Sequence, residues 1–598
     1  MLRLNVKLLL LLVFGLVFIA TWSLWNRCLD GLHPHGWDNS YKHIGDGPLQ
    51  DVFSGNSPMA DRQTSELLGY EEIDCLINGD IALKCRKEGD EVYLPFSFIH
   101  KYFEVYGKLA TYDGYERFEW SHSYSKVFYP KGKYEPSGVF MYFENYNVEV
   151  RERVKCLSAT EGVPVSTQWE SGGYYYPTQI AQFGLSHYSK NLTEPEPRRK
   201  LLEDGEKDLS HWTANGLATF TRTHDSEVNS LVLQFQSSIG GSVSLKLDHV
   251  LDFVLMMDLK MLSVNSSVTV ALQNRETRQL WRLHYLCSPQ LIFIQENKIF
   301  VSSHALSKSL QDQDIYHGIE CDDVNPWITL IRDLVVDLQK GLMLQNKGKR
   351  KLPRSKLKVV GIALRGWGKV DNVSLSSSEH LAHFYDAARW FVKYQDRNTG
   401  GWPNPVKRRV AAGMEELEPG WYSAMGQGHA ISVLARAYHH SGGDLQYLQA
   451  AINGLRPFRV PSDEGGVLAL FLGKFPWYEE YPTRPASFVL NGFIYSLLGL
   501  YDLKTLAPPA QAKEASVLFE QGMVSLKNLL LLFDTGSGTS YDLRHFTLGT
   551  APNLARWDYH ATHVNQLLLL ATIDKDPLIE VTARRWIGYM NGKRAAHN

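Results

Sequence analysis

The sequence predicts an α+β multidomain protein with an N-terminal transmembrane anchor, a β-hairpin and β-sandwich region, and a C-terminal α/α toroid forming an incomplete barrel. Three observations predict it. An uncharged, mostly apolar run fills residues 8–25, and short β-branched and aromatic runs alternate from about residue 70 to 375. At Ser376 the apolar period then changes to that of a helix. A chain of 598 residues exceeds one hydrophobic core, so several domains are expected.

Residues 1–7, carrying Arg3 and Lys7, read as a cytoplasmic tail, and residues 8–25 (LLLLLVFGLVFIATWSLW) as a signal-anchor of membrane-spanning length. No small-x-small cleavage site follows Trp25; a cleaved signal peptide is the competing reading. The body from Asn26 onward then faces the lumen, in agreement with N-x-S/T sequons at Asn191, Asn265 and Asn372. Residues 26–67, polar and without periodicity, read as a stem. Residues 68–200 (EVYLPF, GVFMYFENYNVEV, GYYYPTQIAQFG) are expected to be a β-rich domain, with strands over Val139–Val150. Residues 201–375 (SLVLQF, SVSLKL, SVTVALQ, QLIFIQ, WITLIRDLVVDL, KVVGIAL) are expected to be a β-sandwich. Residues 376–598 form the expected α/α-barrel catalytic domain, opening on a Ser N-cap before EHLAHFYDAARWFVKYQD. Later helices are expected at 424–440, 444–453, 487–503, 510–532, 563–571 and 579–590, broken by SGG, LAPPA and DTGSG.

Charge narrows the partners. The formal charge is −2 with 21% charged residues, so no global basic field serves nucleic acid, and a polyanion must meet local clusters. Lys347–Lys358 is such a run, read as a solvated loop rather than a polyanion site. Six cysteines are too few and scattered for a disulfide scaffold, although Cys28 beside the membrane is placed to link two chains. No C-x-x-C offers a structural zinc site. Gly426-Gln-Gly428 follows no strand and completes no dinucleotide fingerprint, so no nucleotide cofactor is expected.

The chemistry concentrates near the C-terminus. Tyr541, Arg544, Asn553, Arg556, Trp557, Asp558, Tyr559, His560 and His563 fall within one short span. Rings, a carboxylate-pairing Arg and proton-carrying Tyr suit a pocket for an acidic sugar; a buried hydrogen-bond network between helices is the plainer reading. His560 and His563 form a weaker metal-pair candidate, lacking a placed third ligand. In WYEEYP, one of Glu479 and Glu480 is expected at solvent and the other among rings with a raised pKa, as a general base requires. A surface acidic pair is the alternative. Asn491 and Tyr495, four apart, share a helix face. Upstream, Arg151, Arg153, Gln168, Tyr176, Gln179 and Gln182 combine anion forks with amides suited to hydroxyls, or are exposed strand polarity.

Eight segments carry a resemblance: YEEIDCLING, YDGYERFEWSHSYSKV, FENYNVEVRERVKC, QIAQFGLSHYSKNLTE, LEPGWYSAMGQG, YEEYPTRPASFVLNGF, TSYDLRHF and APNLARWDYHATHVNQL. Together they resemble the heparan sulfate glucuronyl C5-epimerases from Leu68 to Asn598, apart from divergent stretches near 195–230 and 302–356. The resemblance implies a single-pass type II Golgi membrane glycoprotein with a lumenal catalytic body. Such an enzyme, an isomerase, converts D-glucuronate to L-iduronate within N-sulfated heparosan during heparan sulfate and heparin biosynthesis, without nucleotide cofactor. It implies Glu480 and Tyr559 as the proton-transferring pair, Tyr481 and Tyr541 beside them, and Arg544, Asn491 and Tyr495 holding the uronate. Asn553, Arg556, Trp557 and His560 join the binding set. Tyr134, Tyr146, Arg151, Arg153, Gln168, Tyr176, Gln179 and Gln182 hold the polymer from the β side, across a homodimer. Association with other heparan sulfate enzymes is also implied. A structural Ca²⁺ is expected at Asp371, with Asp204 and Glu206 in a divergent stretch. A uronate polysaccharide lyase and a non-catalytic glycan-binding protein are the other classes considered.

Overall fold

The structure, a computed structural model, describes residues 70–596 apart from 78–80, 103–104, 122–124, 207, 289–299, 303–311, 321–325 and 346–351. The expected anchor, the stem, Cys28, Cys321 and the first half of the basic run lie outside the described residues. Two compact units divide the chain at Ile99 and His100. The first carries an antiparallel sheet of Glu71–Ile77, Ile81–Glu88 and Glu91–Tyr93, stapled by a Cys75–Cys85 disulfide with Cα atoms 5.9 Å apart. Helix α1, Phe96–Tyr102, spans the division. The second unit opens with a hairpin of Tyr106–Tyr112 and Tyr115–Ser121 that exposes Leu109, Tyr115 and Trp120.

The β-sandwich consists of a seven-stranded and a six-stranded sheet. Ser242–His249, Leu357–Arg365 and Ser267–Asn274 lie side by side in the first sheet; Ser230–Ser237, Trp367–Ser376 and Val254–Met261 do so in the second. Apolar side chains at alternate positions, among them Val243, Leu245, Leu255, Met257 and Leu259, meet in one core, as a period of two requires. WITLIRDLVVDL is not one strand. Ile328–Asp333 is extended, but Asp333 Oδ1 then accepts the N–H groups of Val335 and Val336 and starts helix α3, Leu334–Gln345.

The segment read as β-rich over 68–200 is mixed. Val139–Val150 holds two 3₁₀ turns, Phe143–Asn145 and Val148–Val150, instead of strands. GYYYPTQIAQFG enters helix α2, Pro177–Thr193, with Pro in its first turn. Pro177 to Lys190 are buried except Gln182, so no polar face gives the helix a readable period. Phe140, Phe143, Ile180 and Phe183 share a core with Phe384, Val433 and Phe493 of the C-terminal helices. The helical region therefore recruits residues upstream of the sandwich.

The C-terminal helices are α4 (His380–Lys393), α5 (Ala424–His440), α6 (Leu445–Asn453), α7 (Leu490–Leu506), α8 (Pro509–Leu529), α9 (Arg544–Leu548), α10 (Trp557–Ile573) and α11 (Pro577–Met590). No Ser caps α4. Glu379 holds the cap position without a capping bond, and its carboxylate takes the Arg199 guanidinium at 2.7–3.0 Å instead. Helix α2 packs on α4 and α5, α5 on α7, α7 on α8 and α10, and α10 on α11. Gly428 of α5 lies against Ser496, and Gly499 of α7 against Gly428, so close that a Cβ at either would meet backbone. The Gly426-Gln-Gly428 motif thus serves helix packing. Pro509–Phe533 is long and apolar enough to cross a membrane by length and composition, yet it buries Ala515, Leu518, Phe519, Met523 and Leu526 in the helical core.

Candidate active site

A two-stranded ribbon, Leu468–Phe471 and Phe475–Tyr478, delivers Glu479, Glu480 and Tyr481 beneath the start of α7. Trp477 fixes the ribbon by stacking on Phe493, ring centres 3.7 Å apart. Both glutamates are buried, which corrects the expectation that one faces solvent. Glu479 accepts from Ser487 Oγ at 2.7 Å and from the Phe488 N–H at 3.0 Å, and burial pushes its carboxyl up to about 8. Glu480 lies against Gly492, where a Cβ would collide with its carboxylate. Its Oε2 is buried without a protein partner, and burial pushes the group up to about 7 against the opposing pull of Tyr481 and Arg408. A carboxyl poised near neutrality with a free oxygen can take or give a proton.

Tyrosines surround it. Burial first, then the Glu480 charge, raises Tyr541, Tyr481 and Tyr559, the last to about 12. Burial also raises Tyr176, at the N-cap of α2, with the Glu480 charge a smaller cause. The Tyr541 and Tyr559 rings meet edge to face, 4.8 Å between centres. Tyr541 is held on both sides: its N–H donates to Asn553 O at 2.7 Å, and its carbonyl accepts from Leu490 N at 3.1 Å. Tyr559 stands in the first turn of α10. Arg556 lies 5.8 Å from its ring and pairs with Asp558 at 2.9 Å. Arg556 and the exposed Arg153 both favour the phenolate, countering burial. Arg544 opens α9 with its Nε 3.5 Å from buried Asp542, whose other oxygen accepts from Asn553 Nδ2 at 2.8 Å.

A second cluster continues along the starts of α2 and α7. Asn491 Oδ1 and Gln179 Oε1 are buried without protein partners. Arg151 Nη1 donates to Gln182 Oε1 at 2.7 Å and stands 5.0 Å from the Tyr146 ring centre. Burial first, then the neighbouring Tyr146 and Tyr142 hydroxyls, raises Tyr495 well above the usual phenol range. Partly exposed Gln168 precedes Trp169, its N–H on Ser166 Oγ at 3.2 Å. The sandwich fixes this side: Lys340 of α3 donates to Arg151 O at 2.7 Å and Val154 O at 2.6 Å, and buried Arg332 donates to Leu157 O and Ser158 O at 3.1 Å.

Several expected binding residues have their polar atoms engaged elsewhere. Tyr134 donates to Asp502 Oδ1 at 2.8 Å and accepts from Arg436 Nη2 at 2.8 Å, inside the helical core. His560 shares Thr539 Oγ1 at 3.0 Å and pairs through Nε2 with Trp586 O at 2.9 Å; His563 reaches the same Thr539 at 2.9 Å. Both histidines are buried brackets between loop and helix, which corrects His560 as a sugar ligand and removes the metal-pair reading. Trp557 packs edge-on against His560, centres 5.5 Å apart.

The expected Ca²⁺ ligands are only loosely grouped. Burial raises the Asp371 carboxyl, with the Asp258 and Asp204 charges as smaller causes, while Glu206 is exposed and gives its N–H to Asp204 Oδ1 at 3.2 Å. That charge suits a hard cation. Among the described residues, however, no three His, Cys, Asp or Glu side chains have the spacing to hold a metal.

Sequence reading missed Arg408, Trp169, Trp421 and Asp542. The Arg408 guanidinium sits 4.9 Å from the Trp169 ring centre and 5.8 Å from that of Tyr481. Its position in the run KRR makes it look like solvated charge; the flanking GWP and PGW tryptophans were the available signal.

A family model described as "D-glucuronyl C5-epimerase C-terminus" matches residues 395–588, and "D-glucuronyl C5-epimerase, beta-sandwich domain" matches 229–367. A D-glucuronyl C5-epimerase of Caenorhabditis elegans is 40% identical over 566 residues, 89% of this chain and 90% of that protein. The chain belongs to the D-glucuronyl C5-epimerase family. An uncharacterized protein of Methanocaldococcus jannaschii is 31% identical over 162 residues, covering 27% of this chain and 48% of its own length. Among solved structures, a family 11 carbohydrate-binding module from Clostridium thermocellum in complex with a mixed-linked tetrasaccharide aligns at 12% identity and TM-score 0.17 over 30% of this chain and 94% of its own. A rhamnosidase from Klebsiella oxytoca with rhamnose bound aligns at 10% and TM-score 0.18 over 69% and 72%. Those two likenesses are too low to bear on the fold. The match to the C-terminal model includes Glu480 just after the ribbon, the loop carrying Tyr541 and the first turn of α10 carrying Tyr559.

Proposed function

We infer that the chain is a carbohydrate epimerase that inverts C5 of D-glucuronate to give L-iduronate within N-sulfated heparosan. One observation carries the mechanism: Glu480, poised near neutrality with an unpartnered oxygen, stands among Tyr481, Tyr541 and Tyr559. Ionised Glu480 takes the C5 proton from one face; the C5–H bond breaks and charge spreads into the adjacent carboxylate. Arg544 and the tyrosine hydroxyls stabilise that charge as it develops. Tyr559, protonated at neutral pH, returns a proton to the opposite face, and its phenolate is eased by Arg556 and Arg153. A single base would return the starting sugar, so two side chains are required. The next turnover needs a proton to pass back to Tyr559 from Glu480 or solvent. Gln179, Asn491, Gln182, Tyr146 and Arg151 offer hydrogen bonds to the polymer.

Family membership and the N-terminal run support a finer setting: a Golgi type II anchor, a lumenal glycosylated body, a homodimer and neighbouring biosynthetic enzymes; a Ca²⁺ at Asp371, Asp204 and Glu206 would need further ligands beyond those the described residues group together. No step is assigned to the metal. The decisive experiment incubates N-sulfated heparosan in deuterated water and follows iduronate and C5 label by NMR. Iduronate with C5 deuterium is expected. A shortened, ultraviolet-absorbing product identifies a lyase, and no C5 exchange identifies a binding protein.

A further inference from the structure

Residues 404–421 fold back on themselves. Arg408 and Leu417 exchange backbone hydrogen bonds of 2.9 Å in both directions, and Trp421 Nε1 donates to Val406 O at 2.9 Å. The Arg408 side chain leaves this platform between two rings, Trp169 and Tyr481, which with Trp421 form a box with centres 5.9–6.3 Å apart. Rings against a guanidinium stabilise it and leave its N–H edge for an anion. The neighbouring Lys407 has a counter-ion, Glu418 at 2.9 Å. Among the described residues no carboxylate lies within ion-pair distance of Arg408, and its Nε is buried without a protein partner. An unpaired donor this close to a buried acid is costly unless a ligand completes it. Tyr481, which flanks the cation, follows Glu480 in the chain, so the missing partner belongs beside the reacting sugar.

We propose that Arg408 receives an anionic substituent of the bound polymer, a carboxylate or sulfo group, next to the sugar being epimerised. The inference rests on the epimerase reading for its ligand. The geometry itself asks only for an anion with oxygens to meet the guanidinium edge at the side of the box.

The test compares wild-type full chain, R408Q and R408K on N-sulfated and N-acetylated heparosan, by turnover across pH and by equilibrium binding of each polymer. R408Q is expected to weaken binding and raise KM about tenfold to a hundredfold, the span of one charge-assisted hydrogen bond. Because the Arg408 charge also holds the Glu480 carboxyl down, the limb of the pH profile near 7 moves upward in R408Q alongside the rise in KM. A loss confined to the N-sulfated polymer assigns the anion to the sulfo group; an equal loss on both assigns it to the uronate. R408K, which keeps charge without the fork, recovers part of the loss. Unchanged KM and affinity in R408Q overturn the proposal, as does a shift of the pH limb alone, which makes Arg408 a modulator of Glu480. Should R408Q fail to fold, R408K with wild-type affinity for both polymers overturns it and reduced affinity supports it. Inactive wild-type protein removes the epimerase reading, and the binding arm still decides Arg408.

Discussion

The two ends of α7 each hold a buried acid among aromatic rings, with opposite accounting. Near the C-terminal end, Asp502 has a full set of partners: Arg436 on one oxygen and the Tyr134 hydroxyl on the other, at 2.8 Å. Near the N-terminal end, roughly 15 Å away at 1.5 Å per residue, Glu480 keeps a buried oxygen that no protein group satisfies. Burial is similar and the neighbouring residue types are the same. The difference is satisfaction of the acid itself: both Asp502 oxygens have partners, although Arg436 Nε is left without one, whereas Glu480 keeps an open oxygen with capacity for substrate. Arg436 and Arg408 repeat the contrast among cations, one paired with Asp502 and one boxed by rings without a counter-ion.

The largest expected effect breaks that contrast at its open end. Glu480→Gln and Tyr559→Phe keep shape and remove the proton carrier, so each should cost about 10²–10⁴-fold in kcat with KM and melting temperature nearly unchanged. Because the two residues serve opposite faces, one variant should still exchange C5 hydrogen from glucuronate and the other from iduronate. Equal exchange by both variants from both sugars rejects the pairing and points to Tyr541.

Next in size, the closed end should fail by unfolding. Asp502→Asn leaves Arg436 buried without its counter-charge, a change expected to cost about 3–5 kcal/mol. Denaturant titration should show the loss, while the protein that stays folded keeps its kcat. Lost turnover at full stability would show that Tyr134 and Asp502 belong to the site after all.

This contrast explains what sequence could and could not reveal. Amphipathic helices such as α4 and α11 were legible because one face is buried and the other polar. Helix α2 was not: buried on nearly every side and led by three tyrosines, it carries β-like composition without helical period. Glu480, Tyr541 and Tyr559 were legible as chemistry because acids and rings crowd two short stretches, WYEEYP and residues 541–563. Their satisfaction was not, since it depends on distant partners. Tyr134 meets Arg436 across 302 residues, and His560 meets Thr539 across 21. Arg408 was hidden by its company, a basic run in which its neighbour Lys407 does lie at the surface.

The pH profile sharpens the comparison further. Glu480, held at about 7, must be ionised to accept the C5 proton. Activity should therefore fall about tenfold per pH unit below that value. A limb in the ordinary carboxylate range would mean that bound polymer, not burial, sets the acidity.

The smallest effect on turnover separates the two adjacent glutamates. Burial raises Glu479 from its ordinary 4.5 to about 8, so across that window the folded chain binds more protons than the unfolded one. Its contribution to stability is fully present below about 4.5, declines as pH rises from there, and is gone above about 8. Neutral Glu479 keeps one oxygen accepting from the Phe488 N–H at 3.0 Å, and its hydroxyl can turn the 2.7 Å contact round to donate to Ser487, whose own hydroxyl has Tyr481 O at 3.4 Å as an alternative acceptor. Gln reproduces that pattern and cannot ionise. Glu479→Gln should thus match wild type in stability near pH 4 and exceed it increasingly from there to pH 8, by a few kcal/mol at about 1.4 kcal/mol per pH unit. Turnover should barely change, because Glu479 is satisfied by its own ribbon and helix start rather than open to substrate. Loss of turnover comparable to that of Glu480→Gln would make the two glutamates a single acid pair and erase the distinction between closed and open sites at this position.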